Sequence, residues 1–76
     1  MVYRRTHQVV KRLAARRSAI LAAAREAAAE GGMAAVQIAP VAVRANVAAG
    51  TVYRYFPSKA ELISELISEV SRDELA

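Results

Sequence analysis

The 76-residue chain has no cysteine, no tryptophan, one phenylalanine, one histidine, two prolines and three glycines. Without cysteine there is no disulfide and no thiolate metal site. The lone histidine, His7, sits in a basic leader with no aspartate or nucleophile placed to work with it. There is no glycine-rich phosphate loop and no carboxylate pair set for acid–base work, so the residues argue against an enzyme and call for no cofactor. No apolar run approaches the roughly 20 residues that span a bilayer. The N-terminus is basic but lacks the apolar stretch of a signal peptide. The expected location is the cytoplasm, with no membrane partner. The shortage of aromatics also limits bulk, in a chain of a size that buries only about 60% of its unfolded surface.

What the chain has in quantity is alanine, eighteen residues of it, so a hydrophobic fraction of 55% overstates the core. Alanine favours helix but fills little volume. It also has an uneven charge. The net value is +4, yet residues 1–25 hold seven basic residues and no acid, whereas residues 61–76 hold five acids and one base. Such asymmetry suggests a polyanion partner for part of the surface. A solvated basic tail and GC-rich coding of Ala and Arg are the plainer readings of the same numbers.

Residues 1–8 lack an apolar period and are read as a basic flexible arm. From about residue 9 to 31 the pattern is helical, with Leu13, Ile20, Ala24, Ala27 and Ala28 near one face. Gly31-Gly32 ends that helix, since glycine takes a positive φ at a C-terminal cap without steric cost. A second, short helix fits residues 38–45, with Pro40 tolerated in the first turn, where an N–H has no intrahelical partner. Asn46 breaks it, being a residue that accepts a left-handed conformation. A third helix fits about 49–56, closed by Phe56 because a residue before proline is pushed out of the α region. Ser58-Lys59-Ala60-Glu61 has the spacing of a capping box and opens a fourth helix over 58–76. Leu62, Ile63, Leu66, Ile67 and Val70 form its apolar face, broader than a three-helix core requires. No strand pattern or internal repeat occurs. The expected fold is all-α.

Two short helices joined by Asn46-Val47-Ala48 have the arrangement of a helix-turn-helix. Ala42 is small enough to let them cross closely, and Val47 and Val52 can pack beneath. The third helix then carries suitable chemistry for DNA. Gly50 removes a side chain where a backbone can approach another molecule. Thr51 and Arg54 can meet base edges or phosphate. Tyr53 and Tyr55 present hydroxyls on stiff rings, and Lys59 lies in the first turn of a helix that attracts anions. Each has a blander alternative: Gly50 as a cap, one tyrosine as core, Arg54 and Lys59 as solvated surface.

The segments "ILAAAREAAAEGG" (Ile20 to Gly32) and "VAVRANVAAGTVYRYFPSKAEL" (Val41 to Leu62) resemble the DNA-binding domain of tetracycline-repressor (TetR) family regulators. The Gly-Thr-Val-Tyr-x-Tyr-Phe-x-Ser-Lys run is the most specific part, and the likeness covers residues 17–66. It implies a three-helix, homeodomain-like helix-turn-helix domain over residues 9–57. It also implies a bacterial, sequence-specific transcription factor, usually a repressor. By that resemblance Ala49, Gly50, Thr51 and Tyr55 face the major groove, Tyr53 and Lys59 contact phosphate, and Gln37 at the start of the second helix touches DNA. Arg4 and Arg5 would enter the minor groove from the arm. The expected partner is double-stranded DNA, a palindromic operator when the protein is dimeric.

Several positions depart from the family pattern. Asn46 and Ala48 stand where Gly and Ser or Thr are usual, Ala49 replaces a polar residue, Gln37 a Ser or Thr cap, and Ala28 a large aromatic. The resemblance also implies a longer helical domain for dimerisation and a small-molecule inducer. The fourth helix, 58–76, would link to that domain, which these residues do not supply. The expectation is a homodimer for the long form and a monomer or weak dimer for these residues alone. The rival reading is a small helical protein-interaction domain that docks a partner on the fourth helix and binds no DNA.

Overall fold

The computed structural model describes the backbone of residues 2–75 and the side chains of residues 10–69 and of Ser71. It is all-helical: α1 (Val2–Gly31), one 3₁₀ turn (Met33–Ala35), α2 (Ile38–Ala45), α3 (Ala49–Tyr55) and α4 (Lys59–Leu75). No strand occurs among the described residues.

The first helix corrects the expected arm over residues 1–8. It starts at Val2, not near Val9. No glycine or proline separates the two stretches, and a helix once nucleated extends at little cost through residues such as Arg and Gln. Its 30 residues make a rod of about 45 Å. Among its described side chains, residues 10–19 are exposed and Ile20 is the first that is fully buried. Leu13, expected on the inward face, is 49% exposed because no other helix reaches that part of α1.

Glycine matters at the end of α1. A Cβ on Gly31 would meet the Cβ of Ala35 at 2.8 Å, so the 3₁₀ turn can fold back only against a bare backbone. Gly32 has φ 76°, a conformation L side chains rarely adopt. Asn46 adopts the left-handed conformation, φ 60° and ψ 43°, and its N–H donates to the carbonyls of Ala42 and Val43. The next N–H, of Val47, also donates to Ala42 at 3.0 Å. This is the tight turn of the helix-turn-helix, made by asparagine in place of glycine.

The core lies where the second half of α1 meets the other helices. Ile20, Leu62, Val36, Val41 and Val52 are its largest fully buried side chains. Ala23, Ala24 and Ala42 are buried among them and let the helix backbones approach. Val47 and Ala45 pack partly buried against the cluster. On α4, Leu62 and Leu66 are buried and Ile63 half-buried, but Ile67 is 52% exposed. Beside Ala28, Met33, Leu66 and Ile67 an apolar groove of about 280 Å³ remains open.

Ion pairs join α1 to both flanking helices. Arg17 and Glu65 meet at 3.0 Å, Arg25 and Glu69 at 3.6 Å. Both partners advance together along the chain, so α1 and α4 run in the same general sense. Residues before Arg17 therefore lie toward the end where α4 begins.

Candidate nucleic-acid interface

The turn residues and the short length of α3 decide what it presents. Ala48 precedes it in extended conformation with no side-chain cap, and the N–H groups of Thr51 and Val52 donate to the Ala48 carbonyl at 3.0 and 3.3 Å. Phe56 ends the helix, extended at φ −133°, its N–H donating to Val52 at 2.9 Å. Val52 is fully buried and sets the inward direction. At 3.6 residues per turn, Gly50, Tyr53 and Arg54 then share the outward face. All three are exposed. Ala49 is exposed at the leading end, and Thr51 and Tyr55 are half-buried on one flank.

The two tyrosines separate clearly. Tyr55 packs against the core, whereas Tyr53 is 48% exposed. One tyrosine was expected to be partly core, and it is Tyr55. A Cβ on Gly50 would meet nothing within 4 Å, so the fold itself does not require glycine there. The missing side chain instead leaves bare backbone on an exposed surface.

The start of α4 adds a second group. The Glu61 N–H donates to Ser58 Oγ at 3.2 Å, which is half of a capping box. The reciprocal bond, from the Ser58 N–H to the Glu61 carboxylate, is not formed. Lys59 follows this cap directly and is half-buried. Neither Arg54 nor Lys59 has an acidic partner within 4.0 Å among the described residues. Gln37 sits before α2 with no capping bond there; its Nε2 donates to the Ala34 carbonyl at 3.1 Å. That bond holds the side chain against the 3₁₀ turn on an exposed surface. Arg4 and Arg5 lie outside the residues whose side chains the structure describes.

The sequence did not foretell how the charges pair. Of the seven basic residues in 1–25, Arg17 and Arg25 are neutralised by Glu65 and Glu69 of α4. Arg44 of α2 bonds Glu30 and faces Glu26 at 3.7 Å. Lys11, Arg12 and Arg16 remain exposed along α1. Cation–acid spacing within one helix is legible in sequence, whereas these pairs cross between helices and give no one-dimensional signal. No group of three or more His, Cys, Asp or Glu side chains suited to a metal occurs among the described residues. None of the described helices is long and apolar enough to cross a membrane.

A buried Val52, an exposed Gly50–Tyr53–Arg54 face and a capped helix carrying Lys59 make up the outer surface of this helix-turn-helix. Residues 20–66 match the profile described as "Bacterial regulatory proteins, tetR family". The chain belongs to the tetR family of bacterial regulatory proteins, whose members are DNA-binding regulators, not enzymes. It is 55% identical over 58 residues to the HTH-type transcriptional repressor KstR of Mycobacterium tuberculosis (strain ATCC 25618 / H37Rv), covering 75% of this chain and 26% of that protein. The KstR repressors of Rhodococcus jostii (strain RHA1) and Mycolicibacterium smegmatis (strain ATCC 700084 / mc(2)155) are each 52% identical over 58 residues, or 76% of this chain and 26% and 27% of theirs. The chain thus spans about a quarter of the length of these relatives. No solved structure matches it.

Proposed function

We propose that these residues form the operator-reading domain of a transcriptional repressor, with α3 laid in the DNA major groove. The carrying observation is the exposed α3 face, where Gly50 lets the backbone approach and Tyr53 and Arg54 flank the gap. Thr51 and Arg54 read base edges, and Ala49 leaves room for close contact. Tyr53, Tyr55 and Lys59 hold phosphates, α2 braces the reader through Val41 and Ala42, and Gln37 meets the backbone at the start of α2. Because α1 and α4 run in the same sense, the basic first half of α1 lies at the Lys59 end, which supports a DNA-facing place for Arg4 and Arg5.

The domain acts in the cytoplasm. In a longer protein it works as a homodimer on a palindromic operator, and an inducer acts through residues beyond these. Repression is steric, by occupying DNA that polymerase needs.

Salt titration tests the reading. With about four phosphates neutralised per domain, log affinity falls with log salt at a slope of about −3.6. Lys59→Ala reduces that slope by about one without altering sequence preference. Absence of salt-sensitive binding, even after fusion to a dimerising coiled coil, would refute the reading and favour a protein-docking domain.

A further inference from the structure

Arg17 is itself assigned no DNA contact, yet it touches the end of α3 and the side of α4. Its guanidinium carbon lies 5.2 Å from the centroid of the Phe56 ring. Its Nη2 lies 3.0 Å from Glu65 Oε1. Phe56 is the residue that closes α3, and Glu65 stands six positions beyond Lys59 in α4. Between these two anchors the chain runs through Pro57, Ser58 and Lys59 into the first turns of α4. Tyr55, Glu61 and Ser64 line the same polar cleft of about 290 Å³.

We propose that Arg17 is a positioning residue: it fixes the angle between α3 and α4 and so sets Lys59 against the DNA backbone. The proposal rests on the DNA-binding reading above. Phe56 is 3% exposed, anchored in the core and extended ahead of the proline. A planar guanidinium can lie over such a ring while its edge donates to a carboxylate. A lysine ammonium is a point charge and cannot serve both contacts with equal geometry. The Arg17 and Glu65 side chains are 44% and 35% exposed, and a pair this wet adds little to stability. Its effect is therefore on orientation more than on folding. The Arg25–Glu69 pair joins the same two helices further from Lys59, with a longer contact of 3.6 Å and no ring. It provides an internal control.

The experiment measures affinity for duplex DNA against salt, with circular dichroism melts alongside. The variants are Arg17→Gln, Arg17→Lys, Arg25→Gln, Lys59→Ala and the double variant Arg17→Gln/Lys59→Ala. Losing one phosphate contact weakens binding about fivefold at 0.15 M salt and lowers the slope by about 0.9. Arg17→Gln produces that loss, Arg17→Lys an intermediate one and Arg25→Gln none. The double variant matches Lys59→Ala alone, because the brace acts only through the lysine. A double variant that loses two contacts' worth of slope would make Arg17 a phosphate contact itself and overturn the proposal. An Arg17→Gln slope equal to wild type would overturn it too, while leaving the DNA reading standing. A wild-type chain without salt-dependent binding would remove both. If Arg17→Gln does not fold, Glu65→Ala keeps the ring contact, removes the acceptor that holds Arg17 and reads out the same slope.

Discussion

Arg44 grips Glu30 with both arms of its guanidinium. Nη1 donates to Oε2 at 2.9 Å and Nη2 to Oε1, so the last turn of α2 is tied to the end of α1. The hydrogen bond from Arg44, then its charge, hold the Glu30 carboxyl below the usual carboxylate range. The same bond raises Arg44 further above an already high value, opposed by desolvation and aided by the charges of Glu30 and Glu26. A carboxyl with a depressed folded value stabilises fully above its unfolded value and loses that contribution as pH falls through the folded one. Arg44 would lose its share only at extreme alkaline pH. The melting temperature of wild type should therefore exceed that of Glu30→Gln at neutral pH. The gap should close as pH falls below about 4. A gap that persists at pH 2 would show that Glu30 stabilises by something other than its charge.

Two glycines should respond to alanine in opposite senses. Gly50→Ala places a Cβ in open space and removes a helix penalty of about 1 kcal/mol, so melting temperature should rise. DNA affinity should fall, because the close approach is filled. Gly31→Ala drives a Cβ to 2.8 Å from that of Ala35. Overpacking of this kind costs about 1–3 kcal/mol, seen as a lower melting temperature. If Gly50→Ala leaves binding intact, the bare backbone on α3 is not what DNA approaches.

Ala48 leaves α3 without a side-chain cap. Ala48→Ser should supply one to the N–H of residue 50 or 51 and add about 1 kcal/mol of stability. Chemical denaturation reads this directly as a higher midpoint at constant slope.

Arg54 is exposed and unpaired among the described residues. Arg54→Ala should change stability by less than about 0.5 kcal/mol. It should cost about 1–3 kcal/mol on a selected operator and relax preference at one base pair. Selection from a randomised duplex library distinguishes this outcome from an equal loss on all sequences, which would make Arg54 a phosphate contact.

The turns were the most legible part of the fold. Asn46, Pro57 and the Gly31-Gly32 pair constrain the backbone locally, and a local constraint can be read where it stands. The all-α class and the helix-turn-helix followed from them. The start of α1 was not legible, because an absent apolar period does not stop a helix when no breaker is present. Leu13 misled for a related reason: periodicity identifies a face but not whether another helix covers it. At the site, the outward position of Gly50, Tyr53 and Arg54 follows from the position of Val52. The division between Tyr53 and Tyr55 needed the packing of the other helices. So did the pairing of Arg17 and Arg25 with α4, which withdraws two cations from the basic end that the composition suggested was available to a partner.

Val52 is the one fully buried residue of α3. The side chains that hold the fold together and those that face outward on the reading helix are nearly separate sets. Substitutions across Ala49, Gly50, Tyr53 and Arg54 leave the core untouched, whereas Ile20 or Leu62 to alanine would remove about 2–5 kcal/mol from a domain of ordinary stability. If the proposed reading holds, the domain is evolvable in its specificity and conservative in its architecture: descendants would drift to new operators through the exposed face of one seven-residue helix while its neighbours stay as they are.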